Sequence, residues 1–249
     1  MVSVTSLAVS DEPDEPAPVR RKKPSAHSHQ AGHRERLRQR AKLGGLVALP
    51  DYELLELYLF RTYPRGDVKP LAKALLTRFG SLGGVLGATI EELATVRGVG
   101  EAAAMDLKLL QEATLRAGRD KIVGRPIISS WSALLGYVRV ALANESREQF
   151  RVLFLDKKNQ LIADEVMNRG TVDHAPVYPR EVMRRALELS SSNLIILHNH
   201  PSGDPTPSRP DIDMTRQIVE AGKALKIAVH DHLVVGREGV ASFKALGLI

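Results

Sequence analysis

Hydrophobic residues in the range 33–121 recur every three or four positions, the spacing of one face of a helix. Three such segments end or begin at helix signals: RERLRQRAKLGG ends in a glycine pair, DYELLELYLFRTY opens with Asp51 as a predicted N-cap, and DVKPLAKALLTRFGS is closed by Gly80. Two more helical patterns follow, joined by a short turn at residues 96–100. The pattern predicts a small all-α domain over residues 33–121.

Beyond Pro126 the pattern changes in kind, and strand-like runs alternate with helical ones. WSALLGYVRVALAN predicts a helix, and FRVLFLD and LIADEVMNRG predict two strands joined by a turn at residues 157–160. PREVMRRALELSSS and SRPDIDMTRQIVEAGKALKI predict helices, whereas NLIILHNH and AVHDHLVVG predict strands. The alternation is typical of an α/β domain, and the hairpin makes its sheet a mixed one. We therefore predict an α/β domain over residues 125–249, with a mixed sheet flanked by helices.

Residues 1–32 combine an acidic cluster, a basic cluster, prolines and small polar residues, with too little apolar surface to offset the entropy of ordering. We expect a disordered charged tail there. The formal net charge is +6, but nine basic residues against one acidic residue between Arg20 and Lys42 give +8 locally, and the rest of the chain carries −2. Because the basicity belongs to the tail and the first helix, it does not assign the whole protein to nucleic acid.

The chain contains no cysteine. Disulfide frameworks, thiolate zinc fingers, iron–sulfur clusters and a cysteine nucleophile are thereby excluded, so any metal must be held by His, Asp or Glu. No stretch approaches the roughly 18–20 unbroken apolar residues of a membrane helix, and no basic segment precedes the short apolar run at the N-terminus. We expect a cytoplasmic protein that makes no contact with a membrane.

Two histidines and an aspartate have the spacing of a metal site. His198 and His200 follow an apolar run, at the C-terminal end of a predicted strand, where ligands collect in open α/β sheets. Residues two apart on a strand project to the same face with Cα atoms about 6.5–7 Å apart, so two imidazoles can share one ion. Asp211 follows a proline-rich loop that must turn the chain back. Three protein ligands leave a fourth position for water, which separates a catalytic zinc from a structural one.

The same residues also allow a purely structural interpretation. Ser208 and Asp211 form an S-x-x-D capping box at the start of a predicted helix, and the two histidines could be satisfied polar groups at a strand end. The cap is favoured for Ser208 and Asp211 alone, whereas the full combination of H-x-H, Pro-Ser-Gly and S-x-x-D favours a metal site. His230 and His232 form a second H-x-H that lacks an S-x-x-D. They lie inside an apolar run, where an alternating buried and exposed pair is the favoured interpretation. The alternative is that they are supporting groups of the metal site, with Asp231 able to orient a ligand imidazole.

The stretch HNHPSGDPTPSRPD resembles the JAMM (MPN-type) metalloprotease signature, H-x-H-P-x(6)-S-x-x-D, and is similar to the corresponding stretch of bacterial RadC proteins. The likeness extends from about Arg125 to Ile249 through FRVLFLD, GTVDHAPVYPREV and DHLVVG, and the N-terminal hairpin helices are similar to the leading domain of that family. The resemblance implies an MPN/JAMM-like fold and a Zn2+-dependent metallopeptidase acting on an unknown peptide or isopeptide bond. Its zinc ligands would be His198, His200 and Asp211.

The resemblance also implies catalytic roles. Ser208 would help to stabilise the tetrahedral intermediate with its hydroxyl. Glu148, in REQFRVLFLD, would be the general base that passes a proton to the leaving amine. Glu165 and Glu181 are the alternatives for this base.

A rival interpretation is a DNA-binding factor associated with repair or recombination. The two helices around residues 96–100 resemble a helix-hairpin-helix element, whose turn offers backbone N–H groups to a DNA phosphate. Glu101 follows the turn, where a basic residue would help, so structural use is slightly favoured over DNA use. In the rival interpretation the hairpin and the basic stretch from Arg20 to Lys42 hold DNA, and the metal domain is secondary.

Overall fold

The computed structural model describes residues 26–169 and 177–249 of the chain. The tail expected over residues 1–32 therefore lies mostly outside the described residues, as does the start of the segment GTVDHAPVYPREV. The first described helix begins at Ala26, ahead of the helical start expected at His33. Within the described ranges, none of the helices combines the length and the apolar character needed to cross a bilayer.

The N-terminal part contains helices and turns throughout its described residues. Its α-helices are α1 (Ala26–Gly44), α2 (Asp51–Leu59), α3 (Lys69–Phe79), α4 (Leu82–Gly87), α5 (Ile90–Ala94) and α6 (Glu101–Asp120). Their apolar faces enclose a core that includes Leu55, Leu75, Leu93 and Leu107. Burial of these faces stabilises helices that would be marginal in water on propensity alone.

The helix ends follow the local sequence with one correction. Gly80 closes α3 as predicted, at a φ of 80° that favours glycine. Asp51 is not the N-cap of α2, because Pro50 occupies that position and Asp51 is the first helical residue. There its negative charge faces the positive end of the helix dipole. The two helices predicted around residues 96–100 are α5 and α6.

The C-terminal part is built on a five-stranded sheet. Its elements are α7 (Trp131–Leu142), β1 (Gln149–Leu155), β2 (Leu161–Arg169), α8 (Pro179–Glu188), β3 (Asn193–Asn199), α9 (Arg209–Leu225), β4 (Ala228–Val235) and β5 (Val240–Ser242). The strand order is β2-β1-β3-β4-β5; β3 and β4 are parallel, and the other neighbours are antiparallel. The predicted hairpin of β1 and β2 and the mixed sheet are therefore confirmed.

Helices cover both faces of this sheet. α7 packs on one face against side chains such as Leu153 and Leu233, and α8 and α9 cover the other face, which includes Val152 and Ile196. Side chains alternate between the faces along each strand, so His198 shares the α8–α9 face with Ile196. The predicted fold class is thus confirmed: an α/β part with a mixed sheet flanked by helices, preceded by an all-helical part.

The helical part and the sheet part have separate hydrophobic cores. A domain needs a core of its own, so this separation agrees with a division of the chain. The predicted domain limits, residues 33–121 and 125–249, stay a prediction that limited proteolysis would test.

Candidate metal centre

The C-terminal end of β3 and the start of α9 bring the candidate ligands together. His198 is the penultimate residue of β3 and is buried, whereas His200 follows the strand and is partly exposed. The His200 backbone N–H donates to the carbonyl of Val235 on β4 at 3.0 Å, which holds the chain beside the sheet. Asp211 lies in the first turn of α9, and its carboxylate faces both imidazoles.

The loop between His200 and α9 is held against the turn between β4 and β5. Gly203 has a φ of 104°, which favours glycine, and its N–H donates to the His200 carbonyl at 3.0 Å. A Cβ at Gly236 would meet the Gly203 carbonyl oxygen at 2.1 Å, so the two backbones are in direct contact. Arg237 Nη2 donates to the Ser202 carbonyl at 2.7 Å. These contacts hold the loop in one conformation, which fixes the position of α9 relative to β3.

The three side chains meet at the separations that one small ion requires. His198 Nε2 and His200 Nε2 are 3.0 Å apart. Asp211 Oδ1 lies 3.4 Å from His198 Nε2, and Asp211 Oδ2 lies 3.4 Å from His200 Nε2. Ligand atoms around a tetrahedral zinc ion, with bonds of about 2.0–2.1 Å, are about 3.3 Å from one another. One ligand atom from each of the three residues lies within 4.8 Å of the other two, and each carboxylate oxygen lies 3.4 Å from one of the imidazoles, so the group is close enough to hold one metal ion.

The hydrogen bonding of His200 gives a second test of this fit. His200 Nδ1 lies 2.9 Å from the Asp204 carbonyl oxygen, which can only accept, so the neutral ring carries its proton on Nδ1. Its Nε2 lone pair is then directed at His198 and at Asp211. An ionised carboxylate has no proton to donate to that lone pair. A cation between these groups satisfies all of them, so the donor set fits a metal.

The Asp211 carboxylate and the His200 imidazole also shift the pKa values of one another. When the His200 ring is protonated, its Nε2–H donates to Asp211, and this hydrogen bond raises the pKa of His200; burial opposes this rise, and the charge of Glu148 adds to it. Burial raises the pKa of Asp211, but the hydrogen bonds that its carboxylate accepts when the His198 and His200 rings carry a proton on Nε2 outweigh it and leave that pKa well below its ordinary value. Asp211 is therefore ionised at neutral pH, as a metal ligand must be.

Ser208 and Asp211 form the predicted capping box of α9 as well. Ser208 Oγ donates to Asp211 Oδ2 at 2.6 Å, and the Ser208 backbone N–H donates to the same oxygen at 2.7 Å. The Asp211 N–H lies 3.3 Å from Ser208 Oγ. The structural and the metal interpretations of this segment are therefore compatible, because one carboxylate caps the helix and faces the imidazoles.

Glu148 lies directly before β1 and is partly buried. The antiparallel register pairs Phe150 with His198, and two further residues along each strand place Glu148 across from His200. The contribution of Glu148 to the raised pKa of His200 agrees with that placement. The structure thus brings this glutamate to the edge of the candidate metal centre.

Asn199, which lies between the two histidines, holds the segment that contains Glu148. Its Oδ1 accepts from the Gln149 backbone N–H at 2.8 Å, and its Nδ2 donates to the Arg147 carbonyl at 3.1 Å. Sequence analysis missed this residue, because the middle position of H-x-H is open to any side chain. Strand alternation was the available signal, since it places Asn199 on the opposite face from both histidines, toward the chain before β1.

The two alternative glutamates are held by arginines of α8. Glu165 on β2 accepts two hydrogen bonds from Arg185, at 2.7 and 2.8 Å, and this pairing lowers the pKa of Glu165. Glu181 is in the first turn of α8 and pairs with Arg184 at 3.0 Å. Of the three candidate bases, Glu148 is the one that the structure places beside a candidate ligand.

The second H-x-H does not act as a pair. A β-bulge leaves His230 out of the pairing of β3 with β4, and its Nε2 lies 2.6 Å from Asn159 Oδ1 at the β1–β2 turn. His232 is fully buried, and its Nε2 lies 2.7 Å from His198 Nδ1. Asp231 Oδ2 accepts from a serine hydroxyl on β5 at 2.6 Å. Asp231 therefore supports the C-terminal turn rather than a ligand imidazole, whereas His232 does adjoin the site.

The candidate DNA-binding turn uses several of its polar groups within the protein. The Tyr63 hydroxyl donates to the Gly98 carbonyl at 2.7 Å and accepts from the Gly100 N–H at 3.2 Å. The Val99 N–H donates to the Val96 carbonyl at 3.0 Å. Two of the amides that a hairpin of this type would offer to a phosphate are thus already bound.

A family comparison covers the part of the chain that contains the candidate metal centre. Residues 128–248 match the family model described as RadC-like JAB domain. The match spans α7 to β5 and includes the three candidate ligands, Ser208 and Glu148, whereas α1 to α6 lie outside it. This match supports assignment of residues 128–248 to the RadC family, as a RadC-like JAB domain.

Proposed function

We propose that this protein is a metal-dependent hydrolase of the JAMM type, a zinc metallopeptidase that cleaves a peptide or isopeptide bond. The observation that carries the proposal is the convergence of His198, His200 and Asp211 at the end of β3. Glu148, directly before the neighbouring strand β1, supplies the acid–base group that such a hydrolase needs. The match to a RadC-like JAB domain supports the same reaction class.

Zinc is the metal that this donor set suits. A zinc ion on two imidazoles and one carboxylate acts as a Lewis acid toward a carbonyl oxygen and lowers the pKa of water toward neutrality. His198 and His200 would bind it through Nε2, and Asp211 through its carboxylate. The chain has no thiolate that could compete for the ion.

Glu148 is assigned the role of general base. It takes a proton from the attacking water and delivers it to the amine nitrogen as the carbon–nitrogen bond breaks, so that the hydroxyl of the water ends on the acyl carbon. Proton transfer of this kind contributes about 10²- to 10⁴-fold to a rate. Asn199 holds the backbone on both sides of Glu148, through the Arg147 carbonyl and the Gln149 N–H, and so restricts where this residue can lie.

Ser208 is assigned the stabilisation of the oxyanion. Its hydroxyl donates to Asp211 Oδ2, so it lies at the edge of the ligand set. A rotation about χ1 turns the same hydroxyl from the carboxylate toward a substrate carbonyl. The Ser208 backbone N–H continues to bond Asp211 Oδ2 in that rotamer, so the helix cap is preserved in part.

The first experiment measures metal content. The protein is purified without a histidine tag and without chelators, and its metals are quantified by elemental analysis. We expect close to one zinc ion per chain, and none in His198→Ala. An unsubstituted chain that neither contains zinc nor binds added zinc would overturn the proposal.

The second experiment measures cleavage of a proteome-derived peptide library by mass spectrometry. Products should disappear on chelation and return when zinc is added. Glu148→Gln should retain zinc and lose cleavage, whereas Glu181→Gln, which alters an alternative glutamate on α8, should cleave like the unsubstituted protein. Undiminished cleavage by Glu148→Gln would remove this residue from the mechanism.

A further inference from the structure

A chain of hydrogen bonds leads from one candidate metal ligand to another through two residues that are not ligands. His198 Nδ1 lies 2.7 Å from His232 Nε2, and His232 Nδ1 lies 2.6 Å from Thr215 Oγ1. The Thr215 hydroxyl also lies 2.6 Å from the backbone carbonyl oxygen of Asp211, one turn earlier on α9. The circuit therefore connects the imidazole on β3, a histidine on β4 and the first turn of α9.

Each bond in this circuit has one permitted direction. The Asp211 carbonyl can only accept, so the single hydroxyl proton of Thr215 is donated to it. The contact between Thr215 and His232 Nδ1 then requires the ring to donate. A neutral His232 with its proton on Nδ1 accepts at Nε2, so His198 donates from Nδ1. His198 Nε2 is left with a lone pair, directed at His200 and Asp211.

The surroundings of His232 hold its ring in a neutral form and in one place. The residue is fully buried, and its two nitrogens contact an imidazole and a hydroxyl rather than a carboxylate. A charged ring in that position would lose its hydration without gaining an opposite charge. Phe243 stacks on the ring at a centroid distance of 4.4 Å, and Phe150 meets it edge-on at 6.1 Å.

We propose that Thr215 and His232 form a positioning relay that fixes the tautomer and the ring orientation of His198, so that its Nε2 is ready to accept a metal ion. The inference rests on the proposed metal site. A histidine ligand normally donates its second ring N–H to a carboxylate, a carbonyl or water. Here another histidine accepts that N–H, and the accepting tautomer depends on one threonine hydroxyl.

The test compares three threonine variants, with zinc alone as the probe. Thr215→Val removes the hydroxyl and nearly preserves the shape, whereas Thr215→Ser retains the hydroxyl. Thr114→Val is the matched control, because Thr114 Oγ1 donates to the carbonyl four residues earlier on α6, at 2.8 Å, and is not a member of the circuit from His198 to Asp211. Zinc affinity is measured by competition with a chromophoric chelator.

Thr215→Val should bind zinc about 10- to 100-fold more weakly, the usual effect of losing a group that orients a ligand. Thr215→Ser and Thr114→Val should keep the affinity of the unsubstituted protein. Equal affinity in all four proteins would overturn the relay. If the unsubstituted protein has no zinc affinity, the proposed function is contradicted instead. The relay is then tested by the tautomers of His198 and His232.

Those tautomers are read from ¹⁵N chemical shifts of the histidine rings in the metal-free protein. We expect a proton on Nδ1 in both His198 and His232 of the unsubstituted chain. In Thr215→Val, His232 loses its acceptor at Nδ1, so its proton should move to Nε2 and force the His198 proton onto Nε2. Unchanged tautomers in that variant would refute the proposal. A proton on Nε2 of His198 in the unsubstituted chain would refute it even if Thr215→Val proves unstable.

Discussion

The metal centre and the hairpin turn at residues 96–100 each coincide with a sequence motif, but they differ in what their polar groups bind. In the turn, the Tyr63 hydroxyl satisfies the Gly98 carbonyl and the Gly100 N–H. In the metal centre, the Nε2 atoms of two histidines and the Asp211 carboxylate face one another without an assigned donor between them. A site that is prepared for a ligand keeps hydrogen-bonding capacity that the fold leaves unmatched, and a structural turn does not.

The largest effect should come from removing a ligand. Loss of a residue that supports a metal ligand lowers metal affinity by up to about 100-fold. Loss of the ligand itself, in His200→Ala, should lower zinc affinity by more than that. His230→Ala is the control, since its imidazole contacts Asn159 at the far side of the domain. Calorimetric titration with zinc distinguishes the two variants. Equal zinc affinity in His200→Ala and His230→Ala would contradict the assignment of His200 as a metal ligand.

The next effect concerns the placement of Glu148. Asn199→Ala leaves the Gln149 N–H without its acceptor and should lower the free energy of unfolding by about 1–3 kcal/mol. Misplacement of the base should also slow cleavage by as much as about 100-fold. Asn193→Ala removes comparable bonds at the other end of β3 and should affect stability alone. Urea unfolding and cleavage rates per folded molecule separate the two outcomes, and equal cleavage rates would contradict the role of Asn199.

A smaller effect is expected at the helix cap. Ser208→Ala and Thr89→Ala each remove the side chain of a capping box, so each should lower the free energy of unfolding by about 0.5–2 kcal/mol. Only Ser208→Ala should also weaken zinc binding and cleavage, because its partner Asp211 is a candidate ligand. Thermal unfolding with and without zinc measures both effects. If zinc changes the thermal stability of both variants equally, the cap at Ser208 does not contribute to zinc binding.

The smallest effect is expected at the hairpin. Any DNA affinity at low salt should fall when the basic residues 20–23 are replaced by glutamine, because phosphate contacts release counterions. Tyr63→Phe should leave that affinity unchanged, since it removes a support of the turn rather than a ligand for phosphate. Fluorescence anisotropy with duplex DNA across a salt series makes the comparison. A large loss of DNA affinity in Tyr63→Phe would favour the DNA interpretation of the turn.

The sequence predicted the parts of the site that lie close together along the chain. An apolar run marked β3, and S-x-x-D marked the start of α9, so the positions of His198 and Asp211 on their elements followed from local chemistry. The pairing of β1 with β3, which places Glu148 near His200, required the resemblance because no spacing encodes it. Thr215 could not be found at all, since its partner His232 is on another element.

Two elements of the fold, α4 and β5, were not predicted from the sequence pattern. Helix α4 contains the interior glycines Gly83 and Gly84, which lower helix propensity. A Cβ at Gly84 would meet the Phe79 carbonyl oxygen at 2.1 Å, so the close approach of the preceding turn explains the glycine. Strand β5 has three residues and is defined by its pairing with β4 rather than by a pattern of its own.

The capping box has a consequence for the stability of the domain, because Asp211 Oδ2 accepts both hydrogen bonds from Ser208 while Oδ1 faces His198. An ion that binds the folded arrangement of this carboxylate shifts the equilibrium toward an ordered helix start. By the same linkage, fraying of the first turn of α9 lowers the affinity for the ion. Removal of an ion bound at the candidate site should therefore destabilise this helix terminus first, and hydrogen exchange of the Asp211 amide would report what fraction of the protein carries one.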